Sequence, residues 1–378
     1  MKKLYLLYCI VIIFANCKEV YNAPVETPQT GYLVVEGFIN NGPEPTRIVL
    51  TRTTKLYDTV KIIFEKNAQV NIEGDGGDNY ALAEHDSGIY ISPTLALNSG
   101  EKYRVHIKTT DGKEYLSDYT VVRTSPPIDS ITWKLENDGV RIYVNSHDET
   151  NSTHYYQWRY TEVWEFHSTY IKRLEYIRDP LTQLILGVYQ TDADTSIYKC
   201  WHTQSSTKIL LGTTDGLSSD KVYLPMRYIE PQSYELSVLY YMKLNQYALS
   251  KEAYEFKEKL KKNTEQVGSI FDAQPSELKG NIHCVNNPNE VVIGYVEVSQ
   301  QQTKDIYIDH DELEHWITEL PCAEIEEANK PGSIDQTLLP IDVATRRGLE
   351  IATFYAAPPE CVDCTLRGSN VKPAFWPR

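Results

Sequence analysis

The chain has 378 residues and a formal net charge of −15, and an acidic surplus of that size cannot neutralise phosphates, so nucleic-acid binding is excluded as a working class. Adhesion to anionic headgroups is disfavoured for the same reason. Tyr outnumbers Phe by 28 to 8, which suits half-wet β surfaces where a ring packs and its hydroxyl finds a polar partner.

Lys2 and Lys3 precede an apolar run from Leu4 to Phe14, shorter than the roughly 20 residues a spanning helix needs. Residues 1–16 therefore read as a signal peptide. Phe14-Ala15-Asn16-Cys17 resembles a lipobox with Cys17 as the lipidated residue, although Asn16 stands where Gly or Ala is usual. Removing two lysines and no acid takes the charge from −15 to −17, so the lipid has to supply the membrane attachment. Residues 17–30, with Pro24 and Pro28 and no periodicity, read as a tether.

From Gly31 onward short alternating segments recur between turn residues, at 32–39, 46–51, 68–73, 80–84, 88–92, 102–109 and 114–122. That density predicts an immunoglobulin-like β-sandwich over 31–124. Asp111-Gly112 is the clearest hairpin turn, because both residue types accept positive φ. Ser125-Pro126-Pro127 reads as a boundary, followed by a larger β domain over 128–378 with strands at 131–135, 139–146, 155–164, 208–211, 221–224 and 234–247. Ser250 as cap, Glu252 in the first turn and strong helix formers to Glu265 predict one inserted helix. The i, i+3, i+4, i+7 spacing of Leu313, Trp316, Ile317 and Leu320 predicts a second over Glu312 to Leu320, capped by Asp311.

Five cysteines follow Cys17, namely Cys200, Cys284, Cys322, Cys361 and Cys364. An oxidising compartment makes disulfides the default. The preferred arrangement pairs Cys200 with Cys284, and Cys322 with Cys361 or Cys364. A zinc knuckle on Cys361-Val362-Asp363-Cys364 lacks a second C-x-x-C, so no metal or cofactor is expected. Pro358, Pro359, Pro373 and Pro377 bar regular structure from the last residues. A disulfide from Cys322 is expected to hold this tail on the body, with Trp376 at least partly buried.

Tyr156, Trp158, Tyr160, Trp164 and Phe166 alternate on one face of an extended segment. Such a row suits a ligand platform for sugar rings, but more often forms the inner face of a sandwich, and core is the preferred reading. Glu162 on the same face favours a partly solvated groove. Asp75-Gly76-Gly77-Asp78 reads as a turn lacking the further ligands of a calcium loop, and His310 and His315, five apart, as part of a charged surface helix. Ser205-Ser206-Thr207-Lys208 contains S-x-x-K without its S-D-N and K-T-G partners.

Several strings occur together: Gly88-Ile89-Tyr90, Gly100-Glu101-Lys102-Tyr103, Pro126-Pro127-Ile128-Asp129, Gly268-Ser269-Ile270-Phe271-Asp272, Gly280-Asn281-Ile282, and the ending Cys361-Val362-Asp363-Cys364 to Lys372-Pro373-Ala374-Phe375-Trp376. Their order resembles a family of Bacteroidetes lipoproteins classed as a domain of unknown function, over nearly the whole mature chain. The resemblance implies an accessory role beside TonB-dependent outer-membrane receptors and offers no catalytic residues. The expectation is a non-enzymatic, lipid-anchored outer-membrane protein. Lys18 and Glu19 match an acidic export signal only in part, which leaves cell-surface or periplasmic orientation open. The alternative is a glycan-acting enzyme with carboxylates assembled from distant loops.

Overall fold

The computed structural model describes residues 31–54, 62–265, 278–316, 318 and 322–377. The leader, Cys17, the tether, Ile317, Leu320 and the string at 268–276 lie outside the described residues. The chain is mainly β.

The first sheet is built largely as the alternation predicts. Strand Leu33–Asn40 pairs antiparallel with Arg47–Arg52, and the path continues through Ile89–Ile91, Asn79–Asp86, Gln69–Gly74, Lys102–Lys108 and Glu114–Ser117. Every second side chain turns inward, so Leu33, Val35, Ile48, Leu50, Ile72 and Val105 share one core. Tyr90 and Tyr115 are fully buried there, yet their hydroxyls find the Glu65 carbonyl at 2.9 Å and the Glu290 carboxylate at 2.7 Å. Gly112, at φ +84°, turns the chain between Lys102–Lys108 and Glu114–Ser117.

What the alternation does not announce is the origin of this sheet's last strands. Ile282–Cys284 pairs with Glu114–Ser117, while Val292–Gly294 and Val298–Gln300 run parallel to Leu33–Asn40. The chain thus leaves the first sheet after Thr124, builds most of a second body, and returns to complete the first before leaving again.

The second body has two facing sheets. One holds Ile128–Glu136, Gly139–His147 and Lys221–Ile229. Asn137 and Asp138, both left-handed, form the two-residue loop of its hairpin. The other is centred on the long strand Tyr155–His167, flanked by Lys199–Ser205 and Leu210–Thr213 on one side and by Leu239–Ala248, then Gln302–Asp309, on the other. Between them lies a core that includes Tyr156, Trp158, Trp164, Phe166, Ile142 and Tyr240. A third, smaller core joins the hairpin Lys172–Arg178 and Ile185–Asp194 to the sheet of Ile325–Ala328, Leu339–Arg347 and Glu350–Ala357.

Helix Lys251–Glu265 forms as predicted, with the Ser250 hydroxyl accepting from the Ala253 amide at 3.1 Å. The second expected helix does not form over the described part of Glu312–Leu320. Strand Gln302–Asp309 runs on into a 3-10 turn, His310–Glu312, capped by Asp309 and not Asp311. His315 then adopts φ +64°, which a helix does not accommodate. The apolar spacing still had a cause, since Leu313 and Trp316 both reach the second core.

The cysteine pairing needs one correction. Cys322 bonds Cys361, but Cys200 bonds Cys364, and Cys284 is free and buried. Cys284 belongs to the returning strand and faces the first core, whereas Cys200 faces the second core, so the two sit in different bodies.

Candidate functional site: a groove between the first sheet and the central strand

The central strand has two faces of opposite character. Tyr156, Trp158, Trp164 and Phe166 point into the second core, which leaves them no surface for a ligand. Glu162 lies on that same face and is buried, so it does not mark a solvated groove. Its carboxylate takes Arg227 Nε at 3.0 Å and the Tyr240 hydroxyl at 2.6 Å, and Arg227 also binds Glu235 at 2.9 Å. Burial alone would drive such charges out, and their mutual pairing holds them. Burial and the neighbouring Glu162 push the Tyr160 hydroxyl up to about 12.

The opposite face carries Gln157, Arg159 and Thr161. The register sets Tyr247, Asn245 and Lys243 directly beside them, and directly opposed residues of an antiparallel pair share a face. These six side chains form one wall of a cavity of about 700 Å³. The first sheet supplies the facing wall with Glu36, Phe38, Asn40, Glu44 and Arg47, and the segment Ser205 to Ile209 closes a third side. Tyr160 alone of the five aromatics in the row borders the space, and its backbone is held by Ser206, whose amide donates to the Tyr160 carbonyl at 2.8 Å.

The walls are tied across the gap. Arg159 meets Glu36 at 2.8 Å and Lys243 meets Glu44 at 3.1 Å. Phe38 stacks on Tyr247 with ring centres 4.3 Å apart and planes 6° from parallel. Gln301 takes the Tyr247 hydroxyl at 2.8 Å while donating to Asn245 at 3.1 Å. A groove so cross-braced is preformed, so a ligand does not have to order it on arrival.

Farther along the same sheet face the C-terminal tail docks. Trp376 packs with Val163, Trp201, Leu239 and Tyr241 and donates its indole N–H to Glu165 at 2.8 Å. Ser369 and Trp201 exchange two backbone hydrogen bonds at 2.8 Å. Burial would raise the Glu165 carboxyl, but donors from His167, Lys199 and Trp376 outweigh it and bring it down to about 2.

The Ser205-Ser206-Thr207-Lys208 string lines the groove; the hydroxyl of Ser205, the serine of its S-x-x-K, lies 3.4 Å from that of Thr161, and the Ser206 hydroxyl accepts from the Tyr160 amide at 3.1 Å. Asp75 to Asp78 forms the turn between two strands of the first sheet. Among the described residues no group of three or more His, Cys, Asp or Glu side chains converges to hold a metal, and no helix is long and apolar enough to cross a membrane.

A family model described as a domain of unknown function (DUF4249) matches residues 18–305. The chain belongs to that family. The DUF4249 match takes in every residue that lines the groove, while the tail cysteines and Trp376 lie beyond it. No curated protein matches the chain.

Proposed function

We propose that this DUF4249 chain is a non-enzymatic, lipid-anchored binding protein of the outer membrane, carried on Cys17 and acting as a ligand-capture partner of a TonB-dependent receptor in a Bacteroidetes-type cell. The observation that carries the reading is the braced groove, a cavity of about 700 Å³ whose charged walls are fixed by cross-sheet pairs and whose volume suits a small ligand. Two disulfides agree with an oxidising compartment. In this reading the first sheet is an immunoglobulin-like module that supplies one wall of the groove.

The test has two parts. Cells fed radiolabelled palmitate should label the protein, and Cys17→Ala should abolish the label. Detergent extraction of outer membranes should then recover the tagged protein together with a receptor of the TonB-dependent class. Recovery of the protein alone, unlabelled and free in the periplasmic fraction, would refute the reading.

A further inference from the structure

The groove's charge runs against that of the whole molecule. The chain carries −15, yet four basic side chains, Arg47, Arg159, Lys208 and Lys243, face the space against two carboxylates, Glu36 and Glu44. Both carboxylates are already consumed by Arg159 and Lys243. Arg47 and Lys208 are exposed and meet no carboxylate among the described residues. A basic concavity in an acidic protein focuses a local positive potential and selects anions.

A second, independent feature asks for a different group. Gln157 lines the groove and is only 4% exposed, and its side-chain oxygen is buried without a hydrogen-bond partner. An orphaned buried acceptor costs on the order of 1–3 kcal/mol, so a turn of the Gln157 amide toward the groove it lines is favoured by any donor that fills that space. An ammonium would also need a counter-charge, and Glu36 and Glu44 have none to spare. A neutral hydroxyl needs none.

Resting on the reading of this groove as a ligand site, we infer that it takes an acidic oligosaccharide. The sugar carboxylate sits against Arg47 and Lys208, and a ring hydroxyl donates to the Gln157 side-chain oxygen. Asn245 on the wall facing Arg47, its amide oxygen taken by Gln301 and Thr303, has its amide nitrogen to donate to a further sugar oxygen.

Titration calorimetry on the full chain tests this with tetrasaccharides of galacturonate, of mannuronate and of hyaluronan, against the neutral cellotetraose. At least one acidic sugar should bind, with affinity falling as salt rises. Arg47→Ala with Lys208→Ala should weaken it about tenfold or more. Gln157→Leu should also weaken it while leaving the melting temperature unchanged or raised, because the orphaned acceptor is removed. The inference is overturned if none of the acidic sugars binds, if cellotetraose binds as well as they do, or if the double substitution leaves affinity intact. Receptor co-recovery and palmitate labelling are read independently, so a failure here leaves the anchored-partner reading standing on its own test.

Discussion

The first sheet and the C-terminal segment solve the problem of holding a chain in opposite ways. The first sheet buries a continuous apolar core and leaves its one cysteine, Cys284, unpaired within it. The segment from Cys322 onward divides its buried side chains among several separate clusters, and both disulfides end there, on Cys361 and Cys364. Local alternation is enough where neighbouring strands can stack a core, and covalent closure takes over where prolines deny the backbone that option.

Removing the cross-links should break this contrast most severely. In the chain-entropy model a bond spanning 164 residues is worth about 5 kcal/mol and one spanning 39 about 4 kcal/mol. Cys200→Ala with Cys364→Ala, and Cys322→Ala with Cys361→Ala, should lower denaturant stability by amounts of that order and open the tail to limited proteolysis. Cys284→Ala should cost only about 1 kcal/mol, the transfer value of a small buried group, and reductant should leave strands 33–124 protected. Equal losses from Cys284→Ala and from either disulfide would erase the distinction between the two regions.

Trp376 should come next. It is 4% exposed and bonded to Glu165, so Trp376→Ala should cost about 3 kcal/mol, near the low end for a buried aromatic because a chain end can relax. Phe375 is half exposed, and Phe375→Ala should stay under about 1 kcal/mol. If hydrogen exchange at Trp201 and Ser369 is unchanged by Trp376→Ala, the tail is held by its disulfides alone.

Acid should loosen the same contact more gently. The Glu165 carboxyl sits at about 2 in the fold against 4.5 in the open chain, so the folded state favours its ionised form. That stability is fully present above about pH 5 and is lost as pH falls toward 2, by up to about 3 kcal/mol. Glu165→Gln should flatten this part of the acid profile when compared with the wild type. An unchanged profile would show that Glu165 is not the group through which acid reaches the tail.

How much of this was legible in the sequence depended on how local its cause was. Strand alternation, the Asp111-Gly112 turn and the Ser250 cap each act within a few residues, and each appears where expected. The returning strands at 282–300 and the Cys200–Cys364 bond depend on partners more than a hundred residues away, which no local pattern encodes. The groove was missed for a subtler reason. Gln157, Arg159 and Thr161 look like an ordinary solvent face beside a row of bulky aromatics, and the aromatics drew the ligand question to the buried side of the strand. One available signal was the matching polar alternation of Lys243, Asn245 and Tyr247, which predicts a second polar stripe once the two strands are paired.

The smallest expected effect has the opposite sign and lies at the seam between the first sheet and the second body. Lys257, on helix Lys251–Glu265, is 8% exposed, and its amine sits 4.8 Å above the Phe38 ring that stacks on Tyr247. Burial, reinforced by the charge of Arg159 and only partly offset by Glu297 and Glu36, brings the amine down to about 8 from 10.5. The open chain therefore binds more protons than the fold between about pH 8 and 10.5, so this lysine makes stability rise with pH across that window. Tyrosines held above their ordinary value, such as Tyr247, push the other way near pH 10, so the informative quantity is the difference between wild type and Lys257→Met. Methionine keeps the stem's packing and discards the buried charge, while losing the cation–ring attraction. The variant should be more stable by about 1 kcal/mol at pH 7, and the gap should close near pH 9 and reverse as pH approaches 10.5. A destabilised variant whose deficit shrinks as pH rises through about 10 would mean that the charge on Lys257 holds the seam together.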